Sequence, residues 1–338
     1  MYQANRTRYD EMVYNRVGNS GLKLSAIGLG LWNNFGSVDP LERQRAIIHQ
    51  AFDLGITYFD LANNYGPVPG SAEANFGRIL ASDLRPYRDE LVIASKAGYL
   101  MWPGPYGNWG SRKSLIASAD QSLRRTGLDY FDIFYSHRAD PETDPEETAT
   151  ALDQLVRSGK TLYVGLSNYS GEQVRAMSAI FKDLHTPFII DQPRYNLLNR
   201  QIETDVLPVL TDERKAAVSF SSLCQGLLTD KYLHGIPANS RAEKGTIPFL
   251  HPAQVEQTLN TVKALNAVAA DRGQSLAQMA LAWNLRQPAI ASVLIGASRP
   301  EQVVNNVQAL QHLNFTSTEL RRIDDILAAQ PAIDWQAK

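Results

Sequence analysis

Three short apolar runs end in ionisable side chains: "ITYFD" at Asp60, "LVIASK" at Lys96 and "FDIFYSH" at His137. A phenol, Tyr65, follows the first in "FDLANNYG". Reducing a carbonyl requires a hydride on carbon and a proton on oxygen. A phenol can give that proton if its pKa falls from about 10 toward neutrality, and a nearby ammonium moves it that way by favouring the phenolate. The four residues therefore suggest Tyr65 as acid and base, Lys96 as the charge that tunes it and Asp60 as the partner that holds Lys96. His137 would donate a hydrogen bond to the carbonyl oxygen. Each has a plainer reading: Asp60 as a helix cap, Lys96 as half of an ion pair, Tyr65 as a surface ring, His137 as a strand-end residue satisfied by backbone. None of these explains the four occurring together.

Chemistry of this kind needs a frame that brings strand ends to one face. The apolar runs number eight: "AIGLG" (26 to 30), "ITYFD" (56 to 60), "LVIASK" (91 to 96), "FDIFYSH" (131 to 137), "LYVGLSN" (162 to 168), "FIIDQ" (188 to 192), "AVSFSS" (217 to 222) and "SVLIGAS" (292 to 298). Between them lie segments such as "LERQRAIIHQAFDLG" and "SRKSLIASADQSLRRTG", apolar every three or four residues and ending in glycine, as helices do. Count and alternation predict a (β/α)8 barrel, whose chemistry sits at the C-terminal ends of its strands. Ser167 and Asn168, Gln192, Ser221 and Ser298 follow the later runs as Asp60, Lys96 and His137 follow the earlier ones. "MVYNRVGNSGLKLSAIG" predicts a β-hairpin closing the barrel bottom. The Gly- and Pro-rich segment from Gln225 to Pro252 predicts a long loop over the top after the seventh strand. No compositional break divides residues 1 to 338, which read as a single domain.

Asp60, Tyr65, Lys96 and His137, in this order on these strand ends, resemble the catalytic tetrad of the aldo-keto reductases. The resemblance extends through "GLGLW" (28 to 32), "SNYS" (167 to 170), "QGLLTDKY" (225 to 232) and "GASRPEQVVNN" (296 to 306). "NNYGPVPGSAEANFGR" and "MWPGPYG" are similar to a narrower branch, the bacterial L-glyceraldehyde 3-phosphate reductases, related to potassium-channel β subunits. The resemblance implies an NADPH-dependent reductase of small aldehydes, with L-glyceraldehyde 3-phosphate as first candidate and methylglyoxal as a side substrate. It implies a nicotinamide cofactor extended over the barrel top, since no side chain supplies a hydride. The glycines at 28, 30 and 36 do not form the Rossmann fingerprint, so the cofactor is held by other means.

Carried onto this chain, the cofactor contacts begin with Gly30, Leu31, Trp32 and Asp60. Ser167, Asn168 and Gln192 would bind the carboxamide and Phe220 would stack on the nicotinamide. Ser221, Leu223, Gln225, Gly226 and Lys231, with Arg241 nearby, would line the pyrophosphate. Gly296, Ser298, Arg299, Gln302 and Asn306 would hold the adenosine end. Gly296 stands where many relatives have lysine, and Asn305 where glutamate is frequent, which leaves Arg299 as the anchor for a 2′-phosphate. Trp32, Tyr65, Trp102, Tyr106, Trp109 and His137 would frame the substrate pocket, with Arg112 and Arg138 near its mouth.

Other classes fit less well. A formal net charge of -2 gives no basic excess for nucleic acid, and no run approaches the roughly 18 apolar residues of a membrane span. The polar opening "MYQANRTRYDEMVYN" predicts a cytoplasmic protein. The one cysteine, Cys224, excludes an internal disulfide, and the six histidines show no ligand spacing, so no metal is expected. "RR" at 124 and 125 and again at 321 and 322 predicts solvated helix faces. Two rivals stay open: a Schiff-base aldolase using Lys96 as nucleophile, and a non-catalytic nucleotide sensor like the channel subunits, which carry asparagine at the position of His137. The sequence leaves room for a homo-oligomer.

Overall fold

Two antiparallel strands, β1 (Tyr14–Arg16) and β2 (Lys23–Ser25), precede eight parallel ones. These are β3 (Ile27–Gly30), β4 (Tyr58–Asp60), β5 (Val92–Ala97), β6 (Phe131–Ser136), β7 (Thr161–Ser167), β8 (Phe188–Gln192), β9 (Ala216–Ser219) and β10 (Ile290–Ile295). They close as β10-β3-β4-β5-β6-β7-β8-β9. The computed structural model describes residues 2–238, 240–244 and 250–333. All eight expected runs form strands, and the fold is the (β/α)8 barrel that their alternation predicts.

By its internal contacts the chain forms two compact units. The first comprises the residues up to Arg194, then Gln201–Phe220 and Pro288–Val304, and holds the whole barrel. Some of its helices begin and end where the sequence supplies signals. In the helix Arg112–Thr126, the Ser111 hydroxyl accepts from the Ser114 amide, and Gly127 takes the left-handed cap at φ 68 that favours glycine. The second unit comprises Tyr195–Arg200, Ser221–Gln287 and the chain from Asn305. It contains the helices Pro252–Asp271, Leu276–Leu285 and Ser317–Ala328. Within it, Arg272 lies 3.8 Å over the Phe315 ring and pairs with Glu319 at 2.8 Å. The expected loop from Gln225 to Pro252 consists of short turns at Cys224–Gly226 and Asp230–Tyr232 and a helical turn at Arg241–Lys244. Residues 239 and 245–249 of that loop lie outside the described residues, as do the ends of the expected single domain, residues 1 and 334–338.

The barrel interior is stacked in layers because alternate strand residues face the same way. Val17 and Leu24 of the hairpin are buried with Val92, Ala216 and Ala291, at the starts of their strands, so the hairpin closes the bottom as expected. Above them come Tyr58, Ala94, Tyr135, Ile190 and Val218, all within the same core. Two residues further along each strand are Asp60, Lys96, His137, Gln192 and Phe220. Two glycines make room for the large rings. A Cβ on Gly28 would lie 2.6 Å from the Tyr58 ring, and one on Gly165 only 2.4 Å from the Tyr135 ring. The space they leave lets both tyrosines stand directly beneath Asp60.

Candidate active site

Lys96 is fully buried on β5, and each of its three protons has an acceptor. Nζ donates to Asp60 Oδ2 at 2.6 Å, to the Leu61 carbonyl at 2.7 Å and to the Tyr65 hydroxyl at 3.2 Å. Asp60, 1% exposed, uses its other oxygen to accept from Gln192 Nε2 at 2.8 Å and from the Tyr58 hydroxyl at 3.2 Å. Tyr58 and Tyr135 share a hydrogen bond of 3.1 Å beneath it. Burial pulls the Lys96 ammonium below its ordinary pKa, and Asp60, then Glu73, oppose that shift. Glu73 is buried too, and accepts from Ser95 at 2.6 Å and Arg125 at 2.7 Å. Arg125, expected on a solvated face, turns inward to this carboxylate.

The phenol does not behave as Lys96 alone would make it. Tyr65 keeps part of its ring exposed, but burial raises its hydroxyl well above the ordinary value, and Asp60, Tyr99 and Tyr135 add to the rise. Desolvation of a phenolate outweighs one ammonium, so at neutral pH Tyr65 carries its proton. The expected fall toward neutrality is corrected accordingly. The Lys96 contact is placed to stabilise charge as the proton leaves.

His137 stands across from Tyr65, ring edge toward ring face at 5.9 Å, with Tyr99 packed against it at 4.6 Å. Burial holds its pKa well below 6.5, helped by Lys96 and Arg138. The imidazole is neutral, and its buried Nδ1 has no described partner. The Asn168 amide donates to the His137 carbonyl at 3.0 Å and to Ser167 Oγ at 3.1 Å, while Ser167 donates to the Gln192 carbonyl at 2.8 Å.

Residues 26–328 match the Aldo/keto reductase family. The chain belongs to that family. It is 54% identical to "L-glyceraldehyde 3-phosphate reductase" of Escherichia coli K12, over 100% of this chain and 99% of the relative. It is 33% identical to "Probable voltage-gated potassium channel subunit beta" of rice, over 95% and 98% of the two chains. The corresponding Schizosaccharomyces pombe protein, "Putative voltage-gated potassium channel subunit beta", is 35% identical over 93% of each. An aldo-keto reductase has no need of Lys96 as a nucleophile, and the geometry agrees: a fully buried ammonium with every proton engaged presents no free lone pair.

The other expected residues of this reductase fall into three groups. In the barrel unit, the Leu31 amide donates to the Asp60 carbonyl at 2.9 Å and the Trp32 carbonyl accepts from the Gly66 amide at 3.2 Å. Gly30, Leu31 and Trp32 thus join the tetrad, as do Ser167, Asn168 and Gln192. Phe220 bridges to Arg194 beyond the end of β9. Gly296, Ser298 and Arg299 are exposed, and Gln302 Oε1 accepts from the Ser298 amide at 2.8 Å. In the second unit, Arg241 donates to Gln225 at 2.7 Å and Gln225 to Ser221 at 3.4 Å. Ser221, Cys224 and Gln225 all adopt positive φ, at 55, 47 and 58 degrees. Such clustering of non-glycine residues in left-handed backbone marks a segment held in strain, as binding loops are. Gly226 and Leu223 belong to the same turn, Lys231 is exposed, and Asn306 is buried.

In the third group, the expected pocket wall and mouth, Arg112 alone departs from expectation. Arg112 points away from the pocket, donating to Gln154 at 2.9 Å and also to Thr150 on the helix Pro145–Arg157. Tyr106 is 51% exposed with Lys113 over its ring, and Trp102 is half-buried. Trp109 packs on Arg138. Sequence reasoning missed Tyr58, Tyr135, Tyr99 and Glu73. The first two were detectable, since each precedes a tetrad residue by two and strand side chains repeat with that period.

The depressed pKa of His137 has a sign. Its stabilising contribution is present above 6.5 and is lost as pH falls from there through the folded-state value, because the unfolded chain binds a proton that the folded one refuses. His137→Asn removes that group. Urea unfolding from pH 6.5 down to 5 should show wild-type stability falling by up to about 2 kcal/mol more than the variant's. Parallel curves would contradict a neutral buried imidazole.

Proposed function

We propose that the protein is an NADPH-dependent reductase of small aldehydes, converting L-glyceraldehyde 3-phosphate to glycerol 3-phosphate, with methylglyoxal as a side substrate. The observation that carries the reaction is the contact of 3.2 Å from Lys96 Nζ to the Tyr65 hydroxyl, beside a neutral His137. The full-length likeness to a relative of that name carries the substrate. A reduced nicotinamide, when bound, supplies the hydride to the carbonyl carbon. His137 donates to the carbonyl oxygen and polarises it. Tyr65 passes its proton to that oxygen, and the phenolate left behind is stabilised by Lys96, whose position Asp60 fixes. In the reverse direction the same phenolate takes the proton back. His137 favours catalysis over the purely sensing role of a channel subunit.

Several features fit the cofactor. Arg299 is exposed and has no ion-pair partner among the described residues, and Pro300 opens the helix Pro300–Val307 beside it, so free amides and a guanidinium are available to a phosphate. A Cβ on Gly296 would meet nothing within 4 Å, so the missing lysine leaves open space and not a rearranged site. The strained turn from Ser221 to Gln225, tied to Arg241, suits the pyrophosphate. Ser167, Asn168 and Gln192 would meet the carboxamide and Phe220 the ring.

The reaction is tested with phosphorylated and unphosphorylated glyceraldehyde and Tyr65→Phe. We expect a higher kcat/KM for the phosphorylated aldehyde in the wild type and a fall in kcat of about 10² to 10⁴ in the variant, with NADPH still bound. Equal kcat/KM for the two aldehydes would contradict the substrate, and a variant keeping about a tenth of its kcat would contradict the acid. For the cofactor, Arg299→Ala should weaken NADPH by about tenfold or more and leave NADH nearly unchanged, as read by fluorescence titration. An equal loss for both would mean that Arg299 supports its loop and does not read the 2′-phosphate.

A further inference from the structure

Arg138 follows His137 in the chain, and its guanidinium lies over two aromatic rings. Its Cζ lies 4.2 Å from the Tyr99 ring centroid and 3.4 Å from that of Trp109. Nε donates to the Gly98 carbonyl at 2.9 Å and one Nη to Asn108 Oδ1 at 2.8 Å. A guanidinium has five N–H donors, so three remain. Among the described residues no carboxylate forms an ion pair with it. The nearby Asp140 is committed elsewhere, accepting from the Gly110 amide at 2.9 Å and the Thr143 hydroxyl at 2.6 Å through Oδ2, and from the Glu142 and Thr143 amides through Oδ1.

The loop that builds this contact is itself strained. Trp109 adopts φ 65, a backbone state that a bulky residue avoids unless the surroundings impose it. Its amide donates to the same Gly98 carbonyl, at 3.2 Å, that accepts from Arg138. The strained Trp109 thus carries its indole against the guanidinium. A charge that served only the fold would gain more from a carboxylate partner or from open water than from two aromatic faces and neutral oxygens. Tyr99 lies against both the His137 ring and Arg138, so the cation stands one aromatic ring away from the imidazole. In a three-carbon phosphorylated aldehyde, two carbons and an ester oxygen separate the carbonyl carbon from phosphorus, a comparable reach.

We propose that Arg138, set against Tyr99 and Trp109 one ring away from His137, is the residue that binds the anionic end of the substrate and makes the enzyme prefer phosphorylated aldehydes. The proposal rests on the substrate reading above and names the group that would enforce it. A planar fork with free donors matches a phosphate in two-pronged geometry, which an ammonium cannot reproduce.

The test measures kcat/KM for glyceraldehyde 3-phosphate and for glyceraldehyde with wild type, Arg138→Met and Arg138→Lys, and inhibition of each enzyme by inorganic phosphate. The ratio of the two kcat/KM values should fall about 10- to 100-fold in Arg138→Met, mostly through KM of the phosphorylated substrate, with Arg138→Lys intermediate. Phosphate inhibition should weaken in the same order. A merely structural role would lower both substrates together and leave the ratio unchanged. If the wild type prefers the phosphorylated aldehyde and the variants keep that preference, the role of Arg138 is overturned while the substrate reading stands. If the wild type shows no preference, the substrate reading fails and phosphate inhibition decides the anion site: weaker inhibition in the variants keeps it, unchanged inhibition overturns it. Should Arg138→Met not fold, Arg138→Lys decides alone, and an unchanged ratio and inhibition there overturn the proposal.

Discussion

An ammonium group with no access to water lies at the centre of this barrel. Removing such a charge from solvent costs several kcal/mol unless its donors are satisfied and an opposite charge is adjacent, and Lys96 has both. The requirement propagates outward. Asp60 must sit on the neighbouring strand with its second oxygen occupied, which brings in Gln192 from β8 and Tyr58 from beneath. Tyr58 needs Tyr135 as a partner, and the two rings need the space left by Gly28 and Gly165. One buried charge thus constrains residues on β3 to β8, and the layered interior is arranged around it.

Burial first, and this charge second, set the protonation of its neighbours. Burial keeps Tyr65 protonated and His137 neutral, and Lys96 adds to the second effect by repelling an imidazolium. The site therefore holds a protonated phenol, a neutral imidazole and an ammonium in contact with the phenol. Arg138 adds a second cation at the rim, held by rings and carbonyls and not by an acid. Positive charge at two depths suits a carbonyl at the inner one and an anion at the outer one.

Much of this was legible in the sequence. The eight strands were, because each is a short apolar run bounded by turn chemistry, and so was the meeting of Asp60, Lys96 and His137, because they close successive runs. Tyr58 and Tyr135 were readable in principle from the strand period of two, yet they pass for core aromatics until their hydroxyls are seen under Asp60. Other features depend on distance in the fold. Arg112 and Arg138 flank the same sequence region, but a helix start turns Arg112 toward Thr150 and Gln154, whereas the strained Trp109 pins Arg138 beside His137. Arg125 looks solvated until the buried Glu73 is found opposite it. The direction of the Tyr65 shift was misread because a charge partner is visible in sequence and desolvation is not.

The central claim is that Asp60 supports proton transfer from Tyr65 by holding Lys96 against it. It is tested most directly by a double-mutant cycle on kcat for aldehyde reduction, with Asp60→Asn, Lys96→Met and the pair together, each held well below its unfolding temperature. If the three residues form one electrostatic unit, each single change lowers kcat by about 10² or more and the double variant is no slower than the worse single. Losses that multiply in the double variant would show Asp60 and Lys96 acting independently and would contradict the account.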